Sequence, residues 1–333
     1  MLTRRRFLTI AASAAALPLA PGAGFAAPVP EPVVWRGVAM GALASMTLVH
    51  PDREAGKRLI ARSVAEIERL EAIFSLFRPD SALSQLNRAG HLDNPPLELV
   101  ELLAFSTLLA RRTDGAFDPT VQPLFDLYAA HFSRTDADPA GPSSRDIDVV
   151  LARVDHRAVE IASDHLRLTR KGMAITLNGI AQGYVTDRVA SLLRAEGLEN
   201  VLLDLGEISA HGRHPEGRPW RAAVRDPARR AGSLLDVELG RADGLTALAT
   251  SGGYGFHFDP AGRHHHLFDP ATGRSAEHYI SVSVTAPDAL TADGLSTALS
   301  ALAPTRATAV LAEYGPARAY LVGETGRVER LEA

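Results

Sequence analysis

Asp293 and Thr297 stand four residues apart in Thr291-Ala292-Asp293-Gly294-Leu295-Ser296-Thr297-Ala298. On a helix that spacing brings both oxygens to one side. Two hard oxygen donors on one face can hold Mg²⁺, which takes few protein groups and leaves its other positions to water or substrate phosphate. The same residues also suit a helix cap and a packed, back-bonded threonine. Asn178-Gly179-Ile180-Ala181-Gln182-Gly183-Tyr184 places glycines at a strand-to-helix junction, where backbone N–H groups can face an anion. Its spacing matches neither the dinucleotide fingerprint nor the phosphate loop, so a tight turn with close packing is the other reading. His257, His264, His265 and His266 gather on a hairpin that turns at Pro260-Ala261-Gly262. Neighbouring imidazoles can bind zinc or copper. Alternation puts His264 and His266 on one face and His265 on the other, and a solvated run is the expectation for His265.

The elements that must position these groups follow from periodicity. Val33 to Val49 alternates as one or two strands around Gly37 and Gly41. Ile60, Val64, Ile67, Leu70, Phe74 and Phe77 predict a helix over 54–77, and a second from Leu97 to Arg112 stops at Thr113-Asp114-Gly115. The Pro-, Asp-, Ser- and Gly-rich stretch from Ala129 to Ser144 predicts a loop. Short strand-like runs near Ala158, Leu166 and Ala174 precede a helix from Gly179 to Glu196. Strands dominate from there to Val284, then come helices over Ala289–Leu302 and Thr305–Tyr314 and a closing strand over Arg318–Val322. The pattern is α+β.

The chain opens with Arg4-Arg5-Arg6-Phe7-Leu8, an apolar run to about Ala20, and the small-residue stretch Gly24-Phe25-Ala26-Ala27. That order predicts a twin-arginine signal over residues 1–26, leaving a single domain over 27–333 delivered folded to a bacterial periplasm. The apolar run is too short to span a bilayer, so direct membrane insertion is not expected. With no cysteine in the chain, neither a disulfide nor a lipidated cysteine is available. An apolar fraction of 46% suits a globular core, and a net charge of −4 argues against a nucleic-acid partner.

The motifs gain meaning from their order. Met40-Gly41, Asp114-Gly115-Ala116-Phe117-Asp118-Pro119-Thr120, Gly179 to Asp187, Asp204-Leu205-Gly206, Ala249-Thr250-Ser251-Gly252, His266-Leu267-Phe268-Asp269-Pro270-Ala271-Thr272-Gly273 and Ala292-Asp293 to Thr297 follow one another along the chain. Together they resemble the ApbE family of FAD:protein FMN transferases. The resemblance implies mixed, largely antiparallel sheets flanked by helices. It also implies a Mg²⁺-dependent enzyme that moves FMN from FAD to a threonine hydroxyl of a partner protein, releasing AMP. Carried over by position, Asp293, Thr297, the Gly179 carbonyl and Ser296 would hold the metal, and His266 would act with Asp293 in catalysis. Met40, Phe77, Gly115, Ala116, Phe117, Thr176, Gln182 and Phe268 would bind the flavin substrate. Phe77 stands where the family has a stacking tyrosine, Gln182 where a charged residue is usual, and Thr176 where an aspartate is expected. A periplasmic FAD carrier without transfer activity is therefore the alternative. The Asn178-Gly-Ile-Ala-Gln-Gly-Tyr and Asp204-Leu-Gly-Glu variants look like the subgroup associated with nitrous oxide respiration, whose acceptor is a membrane-anchored flavoprotein.

Overall fold

The computed structural model describes residues 31–225, 232–240 and 243–333, so the signal segment over 1–26 lies outside the described residues. Strands β1 (Val33–Ala39) and β2 (Ala42–Leu48) form a hairpin closed by Met40 and Gly41. Both turn residues have positive φ, 49° and 78°. A two-residue turn of this hand matches the twist of the flanking strands, and glycine takes the second position without strain.

Helix α1 (Arg53–Phe74) starts at Asp52, whose side chain accepts from the N–H groups of Glu54 and Ala55. It buries Ile60, Ile67, Leu70 and Phe74 of the predicted stripe together with Leu59 and Ile73, leaves Val64 half-buried, and ends three residues earlier than expected. Next come α2 (Ala82–Ala89), β3 (His91–Asp93), α3 (Leu97–Arg112), α4 (Gln122–Phe132) and α5 (Ser144–Leu151). The predicted loop over Ala129–Ser144 is thus shortened at both ends, by the tail of α4 and by the cap of α5, where the Ser143 hydroxyl accepts from the Asp146 N–H. Strands β4 (Val159–Ile161) and β5 (His165–Leu168) pair with β3 in a small sheet of order β3-β5-β4. The run near Ala174 is not a strand: the Asn87 side chain takes both the N–H and the C=O of Ile175 that a ladder would have used.

The rest comprises α6 (Ala181–Ala195), β6 (Val201–Asp204), β7 (Ile208–His211), β8 (Trp220–Arg225), β9 (Ser233–Leu239), β10 (Ala247–Gly252), β11 (Phe268–Asp269), β12 (Arg274–Ser275), β13 (Ser281–Ala286), α7 (Ala289–Ser300), α8 (Pro304–Ala312), β14 (Arg318–Val322) and β15 (Val328–Glu332). Eight strands make the main sheet, in the order β1-β2-β6-β7-β10-β13-β14-β15, with antiparallel pairing throughout. The fold is α+β with largely antiparallel sheets, as the resemblance implies. Its largest apolar core draws on α1, α3, α6, α7 and the central strands. A second cluster, built on Trp220, Val224, Val237 and Leu239, seats the β8–β9 hairpin against Leu202, Ile208 and Leu248. A third joins α4 and α5 to β11 through Leu124, Tyr128, Ile147 and Phe268. The closing strand Arg318–Val322 has a further partner, β15, whose mixed charged and apolar residues concealed it in the sequence.

Candidate active site

A cavity of about 820 Å³ opens between the β1–β2 turn, the end of α1, the start of α6 and the start of α7. At its inner end two helices meet with almost no space between them. A Cβ on Gly183 would lie 2.3 Å from the Ala289 carbonyl oxygen and 2.8 Å from the Asp293 Cβ, and one on Gly179 would lie 2.9 Å from the Thr297 side chain. Only glycine permits this approach. It lets the Gly183 N–H donate to Asp293 Oδ2 at 2.9 Å and the Thr297 hydroxyl donate to the Gly179 carbonyl at 3.1 Å. α7 is anchored from the other side by Asp187 of α6, whose carboxylate accepts from the N–H groups of Ala289 and Leu290, while its own N-cap Asp288 accepts from Thr291.

The electrostatics at this end are unusual. Asp293 is 3% exposed and Glu207 6% exposed, and both face the cavity. Burial drives each carboxyl above the ordinary carboxylate range, and for Glu207 the neighbouring Asp293 adds to it. Glu207 Oε2 accepts a long 3.3 Å hydrogen bond from the Thr250 N–H. Among the described residues, no arginine, lysine or histidine forms an ion pair with either carboxylate, so a cation at this end would oppose the burial that raises both and favour their charged forms. The donors beside it are hard oxygens: an Asp293 oxygen, the Thr297 hydroxyl and the Gly179 carbonyl, a set suited to Mg²⁺.

His266 also lines the cavity. Its Nδ1 lies 3.2 Å from the Phe256 carbonyl, which can only accept, so Nδ1 carries the hydrogen and Nε2 the lone pair. Burial pushes its pKa down to about 4, which keeps the ring neutral across the physiological range.

Towards the mouth the walls become apolar. Met40, Phe77, Ala116, Phe117 and Phe268 all line the cavity, with Phe117 and Phe268 buried and Phe77 51% exposed at the rim. The loop carrying Ala116 and Phe117 is pinned by Asp118, which accepts from the N–H and hydroxyl of Thr120 and from the N–H of His156. Met40 is held in its left-handed conformation by the Glu71 carboxylate, which accepts the Met40 N–H at 2.5 Å.

Two of the expected site residues lie elsewhere. Gly115 does not line the cavity: at φ 81° it closes α3, donating its N–H to the Ala110 carbonyl. Ser296 is fully buried behind Asp293, with its hydroxyl on the Asp293 carbonyl and the Ser251 hydroxyl. Ser251 in turn reaches Thr297 at 3.2 Å, so Ser296 sits behind the oxygen set and outside it. The histidine run also differs from expectation. His265 is not solvated: its N–H donates to the Ser275 hydroxyl, its Nε2 meets the Ala276 carbonyl, and burial pushes its pKa down to about 4. His264 packs on Phe132 and reaches the Pro139 carbonyl. Among the described residues no group of three or more His, Cys, Asp or Glu converges to hold a metal, which removes the zinc or copper site on His257, His264 and His266. Beyond the expected site residues, Glu71, Glu207, Trp35, Phe125 and Phe256 also line the cavity. The signal for Glu207 was a carboxylate in an otherwise apolar strand entry, Leu205-Gly206-Glu207-Ile208.

The ApbE family model matches residues 40–321, a span that begins at the Met40 turn and contains α1, α6 and α7. The chain belongs to the ApbE family. Among its ApbE relatives, the Escherichia coli K12 protein named FAD:protein FMN transferase is 29% identical over 306 residues, covering 89% of this chain and 85% of the relative. The apo flavinyl transferase ApbE from Pseudomonas stutzeri superposes with a TM-score of 0.74 at 29% identity, covering 91% of this chain and 96% of that one. The ApbE protein of Thermotoga maritima does so with a TM-score of 0.78 at 27% identity, over 90% and 97% of the two chains. The departures from the ApbE pattern, Phe77, Thr176 and Gln182, all line the cavity. Gln182 packs its amide over Gly206, where a Cβ would come within 2.3 Å of it. The Thr176 hydroxyl accepts from the Asn178 N–H, and the Thr176 N–H donates to the Pro119 carbonyl.

Proposed function

We propose that this chain is an FAD:protein FMN transferase whose reaction takes place in the cavity. The observation that carries the reading is the convergence of Asp293, Thr297, Gly179 and His266 at the inner end of a cavity whose outer walls are apolar and aromatic. The apolar walls suit an isoalloxazine ring, and the polar end suits a pyrophosphate. Asp293, Thr297 and the Gly179 carbonyl would hold Mg²⁺, which when bound neutralises charge on phosphate oxygens. The start of α6 points its partly positive end at the same region. Met40, Phe77, Ala116, Phe117, Thr176, Gln182 and Phe268 would orient the flavin half.

In the reaction, a threonine hydroxyl of the acceptor attacks the phosphorus of the FMN half. The new oxygen–phosphorus bond forms as the bond to the AMP oxygen breaks, and AMP leaves. Neutral His266, with its Nε2 lone pair, takes the hydroxyl proton. The residues Arg4-Arg5, the short apolar run and the small residues ending near Ala27 support export by the twin-arginine route to a periplasm. A membrane flavoprotein acceptor, including one that serves nitrous oxide respiration, fits that address and the Asn178–Tyr184 and Asp204–Glu207 variants.

The test is incubation of the mature protein with FAD, Mg²⁺ and acceptor proteins, read by mass spectrometry. The expected result is a threonine carrying FMN and one equivalent of AMP, both abolished by Asp293→Ala. Tight FAD binding with no AMP release from any acceptor would instead establish a carrier.

A further inference from the structure

Among the described residues the two edges of the main sheet are β1 and β15, and their sequences treat the exposed backbone in opposite ways. β15 reads Val-Glu-Arg-Leu-Glu, with charge at Glu329, Arg330 and Glu332. Charge of this density keeps an outer strand from pairing with another chain. β1 reads Val-Val-Trp-Arg-Gly-Val-Ala, with Arg36 as its charged residue, and pairs with β2 in unbroken register. Val34 and Val38 are 47% and 60% exposed, and Leu43, opposite Val38, is 60% exposed.

The register shows which backbone groups are open. A two-residue turn makes Ala39 and Ala42 the closing hydrogen-bonded pair. Alternation then sends the N–H and C=O groups of Val33, Trp35, Gly37 and Ala39 toward β2, and those of Val34, Arg36 and Val38 outward. No backbone hydrogen bond from another described segment reaches these three residues. Trp35, Val38 and Met40 of the same hairpin line the cavity, so this edge leads directly to the cavity mouth.

We propose that the outer edge of β1 docks the acceptor protein, whose segment carrying the reactive hydroxyl adds to the sheet as a further strand. Its main chain pairs with Val34, Arg36 and Val38, its apolar side chains lie on the exposed valines, and its hydroxyl residue passes the Met40–Gly41 turn into the cavity. This rests on the transferase reading, because it takes a protein hydroxyl as the second substrate. The chain's own start cannot take the place of that strand once the signal is removed after about Ala26. Residues 27–30 would then precede Glu31, and Pro28 and Pro30 are among them. A segment that short cannot both reverse direction and run along a seven-residue strand. Pairing of this kind draws affinity from main-chain hydrogen bonds, while the side chains that alternate along the added strand supply selectivity.

The experiment uses the mature protein, an acceptor domain that it flavinylates, and a peptide of about twelve residues spanning the acceptor threonine, long enough to cover β1. Arg36→Pro removes an outward N–H without touching the ladder to β2, a position where an edge strand tolerates proline. Arg36→Ala controls for the charge. Arg36→Pro is expected to raise the acceptor KM about fivefold, the scale of one lost backbone hydrogen bond, while kcat and FAD binding stay unchanged and Arg36→Ala stays near the parent. A peptide N-methylated at its β1-facing amides, which leaves the enzyme untouched, is expected to be accepted at least as poorly. Amide exchange at Val34, Arg36 and Val38 is expected to be fast in the mature protein and slowed by the unmodified peptide. Equal acceptance of the N-methylated peptide, an unchanged acceptor KM in Arg36→Pro with FAD binding intact, or slow exchange at the three amides without acceptor would each overturn the proposal. Absence of any transfer by the parent protein contradicts the transferase reading itself, a pattern distinct from equal transfer by parent and variant.

Discussion

At the inner end of the cavity, α7 meets Gly183 of α6 and the preceding Gly179, Asp293 and Thr297 hydrogen-bond to their backbone, and Ser251 reaches Thr297. At the mouth, Phe77 is half exposed, and the Met40–Gly41 turn depends on a carboxylate from a different element, Glu71 of α1. The first region has its geometry set by contacts that no side chain can enter. The second has a strained backbone held by one charge-assisted hydrogen bond. Groups that handle phosphate and metal must be placed to a fraction of an ångström, whereas an apolar wall for a planar ring tolerates more movement. Substitutions at the inner end should therefore act on the rate, and substitutions at the mouth on substrate affinity.

The largest combined effect on rate and stability is expected from Gly183→Ala. The added methyl group would meet the Ala289 carbonyl and the Asp293 Cβ, so α6 and α7 must separate and both the Gly183–Asp293 and Thr297–Gly179 contacts loosen. Transfer should fall by about two orders of magnitude or more, with a lower melting temperature, whereas Asp293→Ala should lose transfer and keep the melt. Parent-level transfer by Gly183→Ala would show that the close approach does not set the site.

Glu71→Ala tests the mouth. Met40 at φ 49° is a conformation that costs a non-glycine residue about 1–3 kcal/mol, and the Glu71 carboxylate offsets it by accepting the Met40 N–H. Its loss should weaken FAD binding about fivefold to tenfold, read by flavin fluorescence, with kcat at saturating FAD within about threefold. Glu71→Gln keeps an acceptor oxygen and should stay near the parent. Adding Met40→Gly to Glu71→Ala, which removes the strain, should restore the turn measured by amide exchange. A fall in kcat as large as that of Gly183→Ala would erase the contrast between the two regions.

The two regions also differ in how far the sequence revealed them. Asp293 and Thr297 lie on one helix, so helical spacing was enough to put their oxygens together, and the glycines at 179 and 183 marked a close approach. Spacing could not say which neighbour a helix face meets, and the resemblance, carried over by position, put Ser296 in the oxygen set although its hydroxyl turns to Ser251, 45 residues away. At the mouth no local pattern announces that Glu71 reaches Met40 across 31 residues. Away from the cavity, Asn87 replaces a strand partner for Ile175 across 88. His265 misled because polarity predicts exposure, while its ring is sheltered by main-chain groups of the following turn. The long helices were legible since each carries its own periodicity, whereas the strands between 197 and 284 were expected only as a region.

His266 gives a prediction of intermediate size that belongs to the inner end. Burial lowers its pKa to about 4, so the neutral ring that can accept a proton persists throughout the neutral range. Transfer should show no loss attributable to this group between pH 8 and pH 6 and should fall as acid approaches about pH 4. A step in rate near pH 6.5, absent in His266→Asn, would mean that the ring is solvated during turnover and that the inner end is less closed than its geometry indicates.

The smallest expected effect lies just behind the inner end, at Asp204 of β6. Its Oδ1 is buried without a hydrogen-bond partner among the described residues, and burial pushes its pKa up to about 7, partly opposed by a backbone hydrogen bond from Gly206. A carboxyl whose pKa is raised on folding contributes its full stability below the unfolded value near 3.8 and loses it progressively as pH rises through about 7. Asp204→Asn keeps the size and cannot ionise, so its advantage over the parent should be near zero at pH 4 and grow to about 3 °C or more in melting temperature at pH 8. Transfer at neutral pH should change little, because Asp204 is not among the residues lining the cavity. A melting difference that stays constant across that range would mean the carboxyl is neutralised by something other than a proton. A cation reaching past Glu207 would do that, and the inner end would then hold more positive charge than the Asp293 set alone requires.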